Sequence, residues 1–266
     1  MSFRYISTEA IVLNSIQFGE GHRIINLFTE DYGKLEASAF GVRKTKSRLG
    51  GRLEPFTISR LVLYHKNDES PYSIREVEVR FQNSAFTEDY RKYTVASALI
   101  ESVILFVAKE QVEVDLYRLL SDSLLVLSRI PAEKSPYLLA MYEIKFLKLM
   151  GYNPDTTQCK RCGGEVKEGM AGMDSFHGFP LCKACLTRPG TSHPGMAQAS
   201  MAHTSTGVLP GVLRFIRWAC EEPVHLSEKV SMEEATLHNL RSVIEKLYLH
   251  TFHKKPQSWD QLRAFH

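Results

Sequence analysis

The sequence predicts an α+β multidomain protein: an N-terminal OB-fold-like β barrel, followed by an all-α domain with an inserted four-cysteine zinc module. Three observations carry this prediction. Short alternating apolar runs occupy residues 1 to about 80. The apolar period then changes to a helical one near residue 86. Finally, two C-x2-C pairs, Cys159/Cys162 and Cys182/Cys185, interrupt the helical part.

The first part reads as strands. Thr8, Ala10 and Val12 alternate with Glu9, Ile11 and Leu13, and Ile24 to Thr29 is a short run rich in β-branched and aromatic residues. Leu35 to Phe40 follows the turn Asp31-Tyr32-Gly33. Phe56 to Tyr64 alternates again, and Pro71 to Val79 returns after Asn67-Asp68. Short strands at this spacing indicate a small barrel or sandwich, and the count and length suit a five-stranded OB-type barrel. Helices are expected over Tyr93 to Glu110, Val114 to Ile130 and Pro136 to Met150, the last with Pro at its start and Gly151 just past its end. Asn153-Pro154 forbids continuation. After the cysteines, Thr187 to Gly207 is rich in Pro, Gly, Ser, Thr, Ala and His and reads as a linker. Pro210 to Cys220 is helical, and Ser231-Met232-Glu233-Glu234 reads as a capping box opening a helix through Phe252. Ser258 is expected to cap a last short helix. The domain boundaries follow: barrel 1–82, helical domain 83–155 and 208–266, four-cysteine zinc module 156–190, linker 191–207.

Nineteen residues separate the cysteine pairs, within the spacing of a zinc site. Two cysteines three apart can put both sulfurs on one tight turn, and two such turns supply a tetrahedron of thiolates. Gly163 and Gly164 follow the first pair, where a knuckle needs positive φ. Four thiolates leave no open coordination position, so Cys159, Cys162, Cys182 and Cys185 are expected to hold one structural zinc rather than a catalytic one. Disulfides are the competing reading, but disulfide scaffolds are short and Cys-rich, and this chain has 5 Cys in 266 residues. A redox C-x-x-C would want one pair beside a βαβ pattern. His177 in the insert reads as a solvated loop histidine, and Cys220 as helix packing.

Composition excludes some classes. Lys+Arg 33 against Asp+Glu 30 leaves a formal charge of +3, so net charge does not announce a nucleic-acid partner. No apolar run approaches the roughly 18 residues of a membrane helix. The start carries no apolar signal region. A cytoplasmic protein is the expectation, with paired reduced cysteines in keeping.

Charge distribution is more informative. Phe40 to Arg52 contains Arg43, Lys44, Lys46, Arg48 and Arg52, and no acid occurs between Ala37 and Leu53. Cations on a Gly- and Ser-bearing loop between strands can track a phosphate backbone without reading bases. A merely solvated loop is the competing reading. Phe18, Phe40 and Phe56 lie nearby in sequence as stacking faces, or as barrel core.

Several blocks then match a known family. Phe18-Gly19-Glu20, Arg23-Ile24-Ile25, Leu27-Phe28-Thr29, Gly33-Lys34, Gly41-Val42-Arg43-Lys44, Lys46-Ser47-Arg48 and Leu53-Glu54-Pro55-Phe56 resemble, in order and spacing, the N-terminal domain of the bacterial recombination mediator RecO. Leu149-Met150-Gly151-Tyr152-Asn153-Pro154 resembles that family's approach to its zinc module, and Lys255-Pro256-Gln257-Ser258 its C-terminal signature. Gly21-His22 and the long Thr187 to Gly207 stretch depart from the family pattern. Some family members lack the cysteines, which places the metal outside the core activity.

The resemblance implies a non-enzymatic DNA repair and homologous recombination mediator. Such a protein binds single- and double-stranded DNA, anneals complementary strands, and with RecR helps load RecA onto DNA coated by single-strand-binding protein. It also implies binding of that protein's acidic C-terminal tail, for which Arg214, Arg217 and Lys246 are helix-face cations. The DNA contacts it implies are Arg43, Lys44, Lys46 and Arg48, with Arg23 and Lys34 secondary. Two other readings stand beside it: a zinc-ribbon RNA- or ribosome-associated OB-fold protein, and a zinc-dependent nuclease or deaminase. A deaminase would want H-x-E ahead of its cysteine pair, and the sequence has none there.

Overall fold

The fold is known from a computed structural model, which describes residues 4–18, 21–40, 49, 51–67, 70–82, 84–152, 154, 156–167, 171–174, 180–186 and 205–262. The chain divides into two compact units, residues 1–135 with 256–266, and residues 136–255.

The first unit is built on five strands: β1 (Arg4–Phe18), β2 (His22–Thr29), β3 (Gly33–Ala39), β4 (Ile58–His65) and β5 (Tyr72–Phe81). They close into a barrel in the order β1-β2-β3-β5-β4, the OB-like barrel that the sequence predicts. Closure depends on the length of β1. Its C-terminal half pairs antiparallel with β2 and its N-terminal half with β4. A register shift between Val12 and Asn14 marks where the strand bends, as a bulge does at a barrel corner. The barrel is filled by Ala10, Val12, Ile25, Leu27, Leu35, Ala37, Leu61, Leu63 and Ile74. These alternate along their strands with outward residues, as the two-residue period of a pleated strand requires. Ile11 and Leu13 point to the opposite face of β1 yet are also buried.

Helices complete this unit: α1 (Ala85–Glu88), α2 (Tyr90–Phe106), α3 (Val114–Arg129) and, from the end of the chain, α8 (Ser258–Leu262), the last helix among the described residues. The sequence period places a helix at Tyr93 to Glu110, but α2 starts three residues earlier. Asp89 accepts a hydrogen bond from the Lys92 amide at 3.1 Å, which satisfies an orphan donor of the first turn. At the other end, Lys34 Nζ donates to the carbonyls of Val103 at 3.2 Å and Ile104 at 2.8 Å. A cation on the last carbonyls of a helix complements its dipole. The cap of α8 is likewise remote. Instead of Ser258 capping its own helix, the Glu101 carboxylate accepts from the amides of Gln257 (2.7 Å) and Ser258 (3.0 Å) and from the Ser258 hydroxyl (2.6 Å).

Phe56 is core, not a stacking face. Glu54-Pro55-Phe56-Thr57 is a turn closed by Thr57 N–H to Glu54 C=O at 3.2 Å, and Phe56 takes φ 69° at the position where type II turns favour glycine. Its ring is held edge-on to Phe86 and Tyr93, each 5.5 Å away. Packing thus offsets a backbone strain of about 1–3 kcal/mol.

Gly33 shows how tightly this unit is fitted. Its φ is +67°, and an added Cβ would lie 2.1 Å from the backbone oxygen of Gln111. Gly33→Ala is therefore expected to lose about 2–3 kcal/mol in urea unfolding. A variant as stable as the parent would mean that the 107–111 segment can move aside.

The second unit contains most of α4 (Ser135–Leu149), α6 (Pro210–Glu221) and α7 (Glu234–Phe252). Helix α4 is its axis: Leu138, Leu139, Ala140, Met141, Tyr142, Glu143, Ile144, Phe146 and Leu147 are all buried. Phe146 stacks on Tyr248 of α7 with centroids 6.4 Å apart and meets Phe252 edge-on at 6.2 Å. Helix α7 begins at Glu234, but no side-chain cap bond forms there. The Ser231 to Glu234 signature is present without the box. Among the described residues no helix is long and apolar enough to cross a membrane.

Candidate metal centre and nucleic-acid interface

The cysteine pairs are carried on a small sheet. Strands β6 (Ala171–Asp174), β7 (Pro180–Cys182) and β8 (Ser205–Gly207) run in the order β7-β6-β8, and the short helix α5 (Lys183–Leu186) follows β7. Ser205–Gly207 falls within the stretch read as a linker, yet it supplies the third strand, paired to Gly172–Asp174.

The first pair sits on a tight knuckle. The Cys159 amide donates to Gly164 C=O and the Gly163 amide to Cys159 C=O, both at 2.8 Å, and Gly163 has φ +72°. This is the positive φ that the sequence expects after the pair. Cys182 ends β7 and Cys185 lies in α5, so a strand end and one helical turn present the second pair. All four sulfurs lie within 4.8 Å of one another. Cys162 Sγ and Cys182 Sγ are 3.7 Å apart, and all four residues are free thiols.

Those distances fit a metal ion. A tetrahedral thiolate site with metal–sulfur bonds of about 2.3 Å has sulfur–sulfur edges of about 3.8 Å. A disulfide would need about 2.05 Å. Cys159 and Cys185 are buried while Cys162 is exposed. Burial raises the Cys159 thiol, but the amides of Cys182, Cys162 and Arg161 outweigh it and hold it down to about 6. Burial and the three neighbouring sulfurs push Cys185 up to about 12. The four thiols cannot all ionise at this separation unless a cation shares their charge. The residues present therefore can hold a metal, through Cys159, Cys162, Cys182 and Cys185.

The module is braced by Arg217 of α6. Its Nε donates to Thr156 Oγ1 at 3.0 Å, and one terminal nitrogen donates to the carbonyls of Thr156 (2.9 Å) and Val166 (3.3 Å). Sequence reasoning offered Arg217 as a rim cation for an acidic tail; its guanidinium is instead engaged by the backbone flanking the first cysteine pair. Arg161 donates to Cys185 C=O at 2.6 Å, tying one knuckle to the other. No local motif could have shown either strut, because both link residues more than twenty apart.

The expected DNA contacts fare differently. Arg43, Lys44, Lys46 and Arg48 lie outside the described residues. Arg23, on β2, pairs with Glu54 at 2.9 Å. Lys34 places its amine on the end of α2. The structure does bring three rings together beside the start of the cationic segment: Phe18, His22 and Phe40, on β1, β2 and just after β3.

Comparison with known proteins adds the ancestry. The family model described as "Recombination protein O N terminal" matches residues 1–82, and "Recombination protein O C terminal" matches residues 87–260. The chain belongs to the RecO family. It is 33% identical over 182 residues to the DNA repair protein RecO of Caldanaerobacter subterraneus, covering 68% of this chain and 72% of that protein. The namesake of Streptomyces avermitilis is 32% identical over 245 residues, 86% of this chain and 92% of its own length. That of Thermodesulfovibrio yellowstonii is 27% identical over 261 residues, 96% of each chain. This RecO-family chain is therefore grouped with DNA repair proteins along nearly its whole length.

Proposed function

We propose that this chain is a DNA repair and recombination mediator. In this reading it binds single- and double-stranded DNA, anneals complementary strands and, with RecR, helps load RecA onto DNA coated by single-strand-binding protein, whose acidic tail it also engages. The observation that carries this reading is RecO-family membership across both parts of the chain, joined to an OB-like barrel of a kind that binds oligonucleotides. The acid-free cationic segment with Arg43, Lys44, Lys46 and Arg48 supports the barrel as the DNA-binding part. The protein acts by binding rather than by breaking bonds.

The ion at the four cysteines is zinc in this reading, since a set of four thiolates favours it. When bound, zinc would cross-link the two knuckles, and the saturated thiolate set leaves no place for an attacking water.

The test is twofold. The chain should speed annealing of complementary DNA strands coated with single-strand-binding protein, and should bind DNA at least as well as RNA of the same sequence. Replacing Arg43, Lys44, Lys46 and Arg48 with Ala should flatten the slope of log affinity against log salt by up to roughly 3 units, at about 0.7 per phosphate contact on single strands. A folded quadruple variant with an unchanged slope would remove the segment from the interface. A chain that neither binds nor anneals DNA would refute the function.

A further inference from the structure

The barrel leaves a row of apolar side chains in water. Ile16 is 58% exposed, Phe18 60% and Phe40 55%. Phe18 stands directly opposite His22 across β1 and β2, so both project from the same face of the sheet. Ile16, two residues before Phe18, shares that face. The His22 ring meets the Phe40 ring edge-on, with centroids 5.0 Å apart. Exposed rings grouped in this way do not stabilise the barrel, whose filling is complete without them. Such groups mark a binding surface.

Charge decides the occupant. Phe40 is followed at once by the segment bearing Arg43, Lys44, Lys46 and Arg48, with no acid between Ala37 and Leu53. An apolar protein partner would gain nothing from these cations. A nucleic-acid strand needs both kinds of group, phosphates for the cations and flat bases for the rings. A second ring pair, exposed Tyr5 and half-buried Tyr64 at 5.1 Å, is less suited, because the Arg75 guanidinium already lies 4.6 Å from the Tyr64 centroid.

We infer that Phe18 and Phe40 form a base-stacking platform for single-stranded nucleic acid, with His22 wedging the Phe40 ring in place. The inference rests on the DNA-binding reading above and divides the labour within it. The cations hold the backbone, and the rings hold unpaired bases. Duplex DNA, whose bases are already stacked, engages the cations alone.

Binding of a short oligo-dT strand, an abasic strand of equal length and a duplex, each over a salt series, tests this. Phe18→Leu/Phe40→Leu keeps apolar bulk and removes the flat faces, and circular dichroism checks its fold. The variant should lose about 10-fold or more in affinity for oligo-dT. Its affinity for the abasic strand and the duplex, and its salt slope, should not change. In the full chain, Phe40→Trp should keep oligo-dT binding, and the fluorescence it adds should be quenched by oligo-dT but not by the abasic strand. Unchanged oligo-dT affinity in the leucine variant overturns the platform, as does an equal loss on the abasic strand. Loss of self-association alone, followed by sedimentation, would reassign the patch to contact between copies of the chain. If the wild-type chain binds none of the three probes, the DNA-binding reading itself fails; if it binds them and the leucine substitutions change no affinity, that reading stands and the platform does not.

Discussion

Cys185→Ser should abolish metal binding at the four-cysteine cluster and unfold the module around it, while leaving the barrel intact. Cys185 is buried in α5, and its sulfur lies within 4.8 Å of the other three. A hydroxyl is a poor substitute for a thiolate on a thiophilic ion, so three ligands remain where four are needed. The sheet behind the cysteines has only short strands, Ala171–Asp174, Pro180–Cys182 and Ser205–Gly207. A module this small usually needs a metal or a disulfide to hold its shape. Structural zinc contributes on the order of 10–16 kcal/mol of apparent binding free energy in small finger domains, and that free energy is folding free energy. Elemental analysis should find about one zinc per wild-type chain and none in the variant. Limited proteolysis should then cut the variant between residues 156 and 207 and spare the barrel. Cys220→Ser, on α6 and outside the cluster, should keep full metal content. A wild-type protein purified without metal, together with a Cys185→Ser variant of unchanged protease resistance, would show that the thiols are not a metal site.

Much of this arrangement was legible in the sequence, and the limit has a physical form. Period-2 alternation located the strands because one face of each packs inward. The cysteine spacing located the knuckles because a two-residue gap and a glycine of positive φ suffice to build one. Pro210 and Gly151 bracketed helices because each carries its backbone preference wherever it stands. Long-range partners left no local trace. The Ser231 to Glu234 pattern looks like a capping box and caps nothing. The cap of α8 comes from Glu101, more than a hundred residues away. Lys34 is expected as a secondary DNA contact, but tertiary structure carries its amine to the end of α2. Phe56 reads as a stacking face or as core, and only the structure shows it with φ 69° packed on Phe86 and Tyr93. The barrel itself was predicted, but which strands meet to close it was hidden for the same reason. A strand as long as Arg4–Phe18 can serve two neighbours, and only the bend near Val12 shows that it does.

Arg241→Leu should destabilise the second unit by about 3–5 kcal/mol, the usual cost of leaving a buried charge without its partner. Glu143 is fully buried on α4, and Arg241 of α7, 17% exposed, is its ion-pair partner. Tyr142, Phe146 and Tyr248 are also buried, and the Tyr248 hydroxyl donates to the Glu143 carbonyl at 3.3 Å. Removing the guanidinium takes the ion-pair partner from a carboxylate that is fully buried. The reverse change is milder. After Glu143→Leu, the long arginine stem can swing its charge toward solvent, so a loss of about 1–2 kcal/mol is expected. The pair as a whole is a poor source of stability, because two charges lose their hydration on burial. An apolar replacement of similar volume is often neutral or better. Glu143→Leu/Arg241→Leu should therefore recover most of what Arg241→Leu loses, giving a favourable coupling of about 2–4 kcal/mol in a double-mutant cycle. Urea unfolding followed by circular dichroism at neutral pH measures all four proteins. Oligo-dT binding in the same variants should stay at the wild-type level, since the rings and cations assigned to DNA lie in the barrel unit. A double variant no more stable than Arg241→Leu would mean that shape rather than charge fixes these two positions, and an Arg241→Leu loss below about 1 kcal/mol would mean that water reaches Glu143.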